Sequence, residues 1–259
     1  MNSAPKTPAA VSWRNVSKIY PDGHEALRDV TLDVAPGEVL AVLGTSGSGK
    51  TTLLKTVNRL IDPSSGEVLV RGHATKDWNP IELRRSIGYV IQEVGLLPHL
   101  SILANVGIVP RLLGTSRPEW EGRGEELLSL VGLDPAKYAS RRPRELSGGQ
   151  RQRVGVARAL AADPDLILMD EPFGALDPIT RRELQDEFRS LQKRLGKTVI
   201  VVTHDIREAF RIADRLALMD HGRLVQVGTG AELQANPATE FVKAFLSEAD
   251  AVEVDHAQR

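Results

Sequence analysis

Hydrophobic and polar positions along the chain predict alternating strands and helices. The stretch from Val11 to Tyr20 alternates apolar and polar residues, which is typical of a half-buried strand. A Pro-Asp-Gly turn precedes a second extended segment, VTLDV. The segment that follows, EVLAVLG, is apolar on both faces, as is typical of a central parallel strand. These patterns predict a β-rich N-terminal part that leads into a buried sheet.

The pattern changes twice after this sheet begins. A helix is predicted from Lys50 to about Arg59, stopped by the turn-forming sequence DPSSGE. Between Gln92 and about Asp163 the chain reads as mostly helical, with proline and glycine breaks. Predicted strands and helices then alternate again. They are the strand segment DLILMD, a helix over 179–195, the strand segment KTVIVVTH, a helix over 205–213 and the extended segment DRLALMDHGRLVQVG. The whole pattern predicts an α/β core interrupted by a helical insertion.

The last thirty residues are expected to be helical and to dock on the body of the protein through one apolar face. That face carries Phe241, Val242, Phe245 and Leu246. Apolar runs elsewhere are short, whereas a membrane-spanning helix needs about 20 apolar residues. The chain is therefore not expected to cross a bilayer, and any membrane role would come through a partner.

Composition excludes several classes of function. A formal net charge of −1 over 259 residues gives no electrostatic reason to expect binding to nucleic acid or to an anionic membrane surface. The chain has no cysteine, which excludes disulfide bonds, thiol catalysis and cysteine-ligated zinc. Its first residues carry one lysine and no apolar core, so they predict a loose tail rather than a signal peptide.

A glycine-rich loop between a predicted strand and a predicted helix fits the pattern G-x-x-x-x-G-K-[ST]. Glycines let successive backbone amides point at phosphate oxygens, and the helix N-terminus adds partial positive charge. Lys50 can bridge the terminal phosphates, and the Thr51 hydroxyl can ligate Mg²⁺. The alternative is a chance glycine-rich turn, which the flanking elements disfavour. The predicted phosphate site contains Gly44, Thr45, Ser46, Gly47, Ser48, Gly49, Lys50, Thr51 and Thr52.

Acidic residues end a second buried strand, and a histidine ends a third. Asp170 and Glu171 follow the strand LILM, and in open α/β sheets ligands gather at the carboxyl ends of strands. Asp170 can hold Mg²⁺ through water, and Glu171 can polarise an attacking water as a general base. A solvated strand end would explain an isolated acidic pair equally well. His204 is placed to contact a γ-phosphate, although an isolated histidine is more often structural. The other five histidines show no metal-binding spacing.

A second glycine-rich helix start is predicted at Ser147. Ser147 and Gln150 form a capping box, which explains these two residues but leaves Gly148 and Gly149, each of which weakens the helix. Two glycines beside a serine at a helix N-terminus make an anion site. Because the first loop already surrounds a phosphate group, this second site is expected to contact a nucleotide that another copy of the chain holds.

The sequence LSGGQ at Leu146–Gln150, about twenty residues before the acid-ended strand, resembles the signature of ABC-transporter ATPase subunits. The resemblance runs from about Val11 to Phe245. It implies a P-loop NTPase (RecA-like) α/β core with an antiparallel N-terminal β subdomain and an inserted α-helical subdomain. A single domain over 11–245 is expected, with a core of 1–92 and 164–225, a helical signature subdomain of 93–163 and a helical tail of 226–259.

The resemblance also assigns roles to single residues. Tyr20 resembles the aromatic residue on which the family stacks adenine, although the pattern alone predicts a strand residue. Gln92 resembles the glutamine that reaches Mg²⁺ and water and joins the core to the helical insertion. Asp177, in GALDP, resembles the loop that contacts the partner subunit. His204 matches the switch histidine, and the cofactors implied are ATP and Mg²⁺.

Longer stretches, among them YVIQEVGLLPH and RPRELSGGQRQRVGVARAL, are similar to ATPase subunits of importers for quaternary-amine osmoprotectants of the glycine betaine, choline and carnitine type. Importers for methionine, sulfonates, amino acids or other small solutes share much of these stretches. Many osmoprotectant ATPases continue into a pair of small regulatory CBS domains. This sequence ends at Arg259, so no CBS domains are expected, and direct osmotic sensing by this subunit is in doubt.

The resemblance implies a dimeric ATP-driven motor at the cytoplasmic face of the inner membrane. Its expected partners are a second ATPase subunit, transmembrane permease subunits docked at residues 93–111 and, indirectly, an extracytoplasmic solute-binding protein. No nucleic acid is expected. A soluble ABC ATPase of DNA repair or translation is a weaker alternative, because no long coiled coil, zinc site or second nucleotide domain is present. A non-hydrolysing regulator is disfavoured because Glu171 and His204 are both present.

Overall fold

The computed structural model describes residues 8–91, 95–174 and 176–247. The chain divides into two compact units. The first runs to Pro80 and resumes at Thr198, and the second is Ile81–Lys197. The subdomain boundaries expected from the sequence stay a prediction, and the two units are described one at a time.

An antiparallel sheet forms the N-terminal part of the first unit. Its strands lie in the order β2-β1-β4-β5, and β1 buries Val11, Ser12, Trp13 and Val16, so the predicted alternation is interrupted where the register shifts between Trp13 and Val16. The indole N–H of Trp13 donates a buried hydrogen bond of 2.9 Å to the hydroxyl of Thr56. The strands are β1 (Val11–Ile19), β2 (Glu25–Val34), β4 (Ser65–Val70) and β5 (His73–Ala74).

A second set of strands in the first unit lies in the order β10-β9-β3-β8. The central strand β3 pairs in parallel with both β8 and β9, and every residue of β3 and β8 is buried. Burial on both faces is what the continuous apolar sequence of these strands predicts. The strands are β3 (Val39–Gly44), β8 (Thr198–Val202), β9 (Arg215–Asp220) and β10 (Arg223–Gly228).

The helices of the first unit follow the predicted positions. They are α1 (Lys50–Val57), α9 (Ile206–Ile212), α10 (Gly230–Ala235) and a final helical segment at 240–247. In that final segment Val242 and Leu246 are buried, and the rings of Phe241 and Phe245 lie 5.7 Å apart between centroids. The predicted apolar face is therefore confirmed within the described residues.

Short strands and seven helices make up the described part of the second unit. Strands β6 (Ile87–Val90) and β7 (Leu166–Asp170) pair in parallel. A short 3-10 turn at Pro143–Glu145 comes just before Ser147, which caps the N-terminus of the helix at Gly148–Leu160. The helices are α2 (Pro80–Arg85), α3 (Ile102–Val106), α4 (Ile108–Leu112), α5 (Arg117–Leu130), α6 (Pro135–Tyr138), α7 (Gly148–Leu160) and α8 (Pro178–Leu195).

Helices α3 to α7 confirm the mostly helical character predicted after Gln92, for the residues that the structure describes. Strand β6 was not predicted, because four residues are too few to establish a periodicity. In the described ranges, no helix combines the length and the apolar character that a membrane span requires.

Candidate nucleotide site

Glycine backbone shapes the loop between β3 and α1. Gly49 caps α1 with a left-handed φ of 97°, and a Cβ atom added there would lie 2.2 Å from the carbonyl oxygen of Ala26. Gly44 has a φ of 149°, and its added Cβ would lie 2.1 Å from the carbonyl oxygen of Met219. Gly47 has a φ of 78° but open space around it. Only glycine fits at Gly49 and Gly44. The loop lies at the N-terminus of α1, where a bound anion is favoured.

The side chain of Lys50 lies folded back on this loop. It is 7% exposed, and its Nζ donates hydrogen bonds of 2.8 Å to the carbonyl oxygens of Gly44 and Thr45. These bonds hold a positive charge against the glycine-rich backbone. A lysine ammonium has three rotatable donors, so it can exchange carbonyl oxygens for phosphate oxygens without a change in the backbone. Thr51 and Thr52 follow on the first turn of α1 and are half-buried.

The turn between β9 and β10 supports the loop from another part of the first unit. The amide of Gly222 donates a hydrogen bond of 3.2 Å to the carbonyl oxygen of Ser48, and its own carbonyl accepts from the amide of Arg28. The Ser48 side chain is 2% exposed, and its hydroxyl has no partner among the described residues. Sequence reasoning missed the role of Gly222, because nothing in a single sequence connects residues so far apart.

Tyr20 lies beside the first turn of α1. Its hydroxyl is 3.2 Å from the hydroxyl of Thr52, and the Nζ of Lys18 lies 5.5 Å from the centroid of its ring. The structure therefore brings Tyr20 and the glycine-rich loop together within the first unit, as expected if the ring accompanies a nucleotide bound at the loop.

His204 lies at the same edge of the sheet as the loop. It follows β8, whose Val202 is paired with Val42 of β3, two residues before Gly44. His204 is exposed, and the next residue, Asp205, caps α9 by accepting hydrogen bonds from the first amides of that helix. The predicted position of His204 at the carboxyl end of a parallel strand is confirmed.

In the second unit, Asp170 and Glu171 end the buried strand β7. Asp170 is 7% exposed. Burial raises the pKa of Tyr89, on the neighbouring strand β6, to about 12, and the nearby charge of Asp170 contributes to this rise. Glu171 is half-buried and has a φ of 45°. A positive φ is uncommon outside glycine, and Glu171 is one of seven non-glycine residues with this backbone in the described part of the chain. Tyr89 was not singled out from the sequence.

The second helix start has the predicted capping box. The Ser147 hydroxyl accepts from the amide of Gln150 at 3.3 Å, and the Gln150 side-chain oxygen accepts from the amide of Ser147 at 3.0 Å. The expectation that Gly148 and Gly149 serve an anion stays a prediction, and Gly149 also has a packing reason to be glycine. A Cβ atom there would lie 2.9 Å from Thr180, so close packing of α7 on α8 already requires glycine. Among the described residues, a Cβ atom on Gly148 would meet only the side chain of Arg151, at 4.0 Å.

Two further predicted residues have different outcomes. Asp177 caps α8, and its carboxylate accepts a hydrogen bond of 3.1 Å from the amide of Thr180. That backbone hydrogen bond lowers the pKa of Asp177 below its usual value. Gln92 lies outside the described residues. Within the ranges that are described, no three His, Asp or Glu side chains are grouped so as to hold a metal ion by themselves.

Comparisons with known proteins identify the family of this chain. The profile of the ABC transporter family matches residues 27–174. The chain is 53% identical, over 231 residues, to the glycine betaine/carnitine/choline transport ATP-binding protein OpuCA of Bacillus subtilis (strain 168), with 89% of this chain and 60% of that protein covered. It is 46% identical over 240 residues to the glycine betaine uptake system ATP-binding protein YehX of Escherichia coli (strain K12), with 93% and 77% covered.

The chain thus spans about 60% of the length of the first curated relatives that it matches. Solved structures are also similar. The ATP-binding cassette MJ0796, in a dimeric structure bound to ADP and Pi, has a TM-score of 0.75 and 37% identity, with 85% of this chain and 98% of that chain covered. The cbiO1 protein of Clostridium perfringens has a TM-score of 0.81 and 30% identity, with 89% and 92% covered.

The backbone of the loop gives a first prediction. Gly49→Ala is expected to lower the free energy of unfolding by about 2 kcal/mol or more, because a Cβ would collide with a carbonyl oxygen at a left-handed residue. Gly47→Ala is the matched control. It should lower the free energy of unfolding by about 1 kcal/mol, because only the left-handed φ opposes a side chain there. Urea unfolding of both variants measures the difference. Equal losses would contradict this account of the loop.

Proposed function

This chain belongs to the ABC transporter family, and from that premise we propose that it is the ATP-hydrolysing subunit of a small-solute importer that works as a head-to-tail pair. The observation that carries the proposal is the second glycine-containing helix start, where Gly148 has no packing reason to be glycine. A chain with one phosphate-binding loop needs no second anion site for its own nucleotide. A site supplied to the partner copy explains why it is present.

ATP is the substrate in this proposal, and the residues at the glycine-rich loop bind it. The loop amides and Lys50 bind the phosphates, and Tyr20 stacks the adenine. Glu171 orients and polarises the attacking water, and His204 contacts the γ-phosphate. Phosphoryl transfer needs positioning and charge neutralisation more than covalent chemistry, and these side chains supply both. Gln92 is proposed to contact the water as well.

The chain offers oxygen ligands for Mg²⁺, which is the donor type that this ion prefers. They are the Thr51 hydroxyl, the Asp170 carboxylate and, from outside the described residues, the Gln92 amide oxygen. The burial of Asp170 at the end of β7 fits the role, because a carboxylate that bears a charge in a buried position needs a cation or hydrogen-bond donors. When it is bound, Mg²⁺ neutralises charge on the phosphates.

The partner copy completes each site in this proposal. Ser147, Gly148 and Gly149 of one protomer contact the γ-phosphate held by the other, and Gln150 keeps the helix start closed through the capping box. Asp177 lies at the contact between protomers, where its low pKa keeps it ionised and bound to the α8 amides. ATP closes the pair, and hydrolysis reopens it.

The described part of residues 93–111 supports a role in docking membrane subunits. Asn105 is fully buried, and its amide group bonds to the backbone of Leu97, Leu100 and Ser101, so it fixes the loop before α3. Leu97, on that loop, is 40% exposed. A cavity of about 380 Å³ lies in the same unit, and its lining combines mostly apolar residues, Leu97 among them, with Arg84, Arg85 and Arg158. A rigid loop beside an apolar cavity suits a helix from a permease.

The solute is proposed to be a quaternary amine such as glycine betaine, choline or carnitine, because the first curated relatives are named for these solutes. Importers of methionine, sulfonate or amino-acid type are the alternative. A solute-binding protein and the permease subunits would select the solute, and this chain would lie at the cytoplasmic face of the membrane. The alternative of a soluble ABC ATPase without a transport function is disfavoured, because the relatives are named for transport.

Glu171→Gln tests the catalytic assignment. The variant should bind ATP as tightly as the unmodified chain and accumulate as an ATP-bound dimer, because the amide preserves shape but does not polarise water. Its turnover should fall by about 100-fold or more. Phosphate release, nucleotide binding and size-exclusion chromatography measure the three properties. Glu183→Gln, an exposed position on α8, is the control. Unmodified turnover by Glu171→Gln would reject the role.

Leu97→Glu tests the docking surface. A carboxylate on this rigid, partly apolar loop should prevent association with permease subunits, because an unpaired charge resists burial in an interface. ATP binding by the isolated chain should stay unchanged. Leu60→Glu, at an apolar residue of similar exposure in the first unit, is the matched control. The assay is copurification of permease subunits from membranes. Normal recovery with Leu97→Glu would place the docking surface elsewhere.

A further inference from the structure

We propose that His24 is the second ring of the base-binding part of the nucleotide site, beside Tyr20. The inference rests on the proposed function, in which Tyr20 stacks the adenine of ATP. It adds a residue that neither the motif pattern nor the family resemblance singled out, and it gives that residue a specific ligand, the purine ring.

A tight turn fixes the two rings relative to each other. The amide of Tyr20 donates a hydrogen bond of 2.8 Å to the carbonyl of His24, and the amide of Gly23 donates one of 2.9 Å to the carbonyl of Tyr20. The Asp22 carboxylate accepts a third from the amide of His24 at 3.0 Å. The two residues therefore lie opposite each other at the end of the β1–β2 hairpin, and their ring planes differ by only 10°.

The faces of these two rings are open to a third ring. Their centroids are 6.3 Å apart, near the upper end of the range for an aromatic pair, so most of each face is not covered by the other ring. A purine is flat and larger than a phenol ring. Held parallel to the Tyr20 ring, it can contact the imidazole as well by lying across the two rings.

The imidazole of His24 is also available to a ligand. The residue is exposed, and its ring nitrogens make no hydrogen bond or ion pair among the described residues. Tyr20 differs, because its hydroxyl contacts Thr52 and so joins the ring to the phosphate-binding helix. The Lys18 ammonium over the phenol ring is held by the carbonyl of Asp62 at 2.7 Å. Thus Tyr20 is anchored at the loop, and His24 extends the ring surface outwards.

A purely structural role is the competing explanation. A cross-strand ring pair can stabilise a hairpin without ever contacting a ligand. The two roles differ in what they predict for ligands, because a structural pair would affect all nucleotides and inorganic phosphates alike. A base contact would affect only ligands that carry a base.

The test compares ATP with inorganic tripolyphosphate by isothermal titration calorimetry on the full chain. His24→Ala should weaken ATP binding about two- to tenfold, as expected for one aromatic contact, and leave tripolyphosphate binding unchanged. His24→Phe should restore most of the ATP affinity. His73→Ala, which removes another histidine ring packed against an aromatic residue, is the control and should change neither ligand. The NMR signal of the His24 ring proton should shift upfield when ATP is added.

Each contrary outcome has a separate meaning. If His24→Ala binds ATP as the unmodified chain does, and ATP leaves the His24 signal in place, the inference about His24 is wrong and the proposed function stands. Equal losses for ATP and tripolyphosphate would assign His24 a structural role. If the unmodified chain fails to bind ATP, or Tyr20→Ala leaves ATP affinity unchanged, the proposed base site itself is wrong.

Discussion

The concentrated negative charge of a triphosphate, neutralised by backbone amides, is the interaction on which the proposed account depends. Amides can approach phosphate oxygens only where no side chain intervenes, and helix N-termini orient them outwards. The chain provides this arrangement twice, at Gly49 before α1 and at Gly148 in α7. At Gly49 the surrounding backbone excludes any side chain. At Gly148 no contact among the described residues requires glycine, and the proposed account attributes it to a phosphate group held by a second copy.

The sequence predicted those features that depend on neighbours in the chain. The glycine-rich loop, the capping box from Ser147 to Gln150 and the buried strands β3, β7 and β8 all involve short-range patterns, and the structure contains them. Interactions between distant residues were not predictable. The close contact of Gly149 with Thr180 and the support of Ser48 by Gly222 join parts of the chain that no spacing rule connects. The same limit applies to the parallel rings of Tyr20 and His24, where a turn was predicted but the ring geometry was not.

In the proposed account, the same residues serve in capping and in recognition, which explains why single residues were ambiguous from sequence. Ser147 and Asp177 each accept a hydrogen bond from a helix amide, so each has a sufficient structural reason to be present. A second function is compatible with that reason, because a fixed cap also fixes the position of the first turn. Gly148 is more informative, since no contact among the described residues requires glycine at that position.

Mixing two inactive variants tests most directly whether each site is shared between two copies. Lys50→Ala removes a phosphate-binding side chain, and Gly148→Asp places a carboxylate at the second helix start, where the added Cβ meets only the tip of Arg151 at 4.0 Å. Each variant alone should hydrolyse almost no ATP. An equimolar mixture should recover about a quarter of the unmodified rate, because half of the pairs are mixed and each mixed pair has one intact site. A mixture as inactive as its components, or full activity of Gly148→Asp alone, would contradict the account.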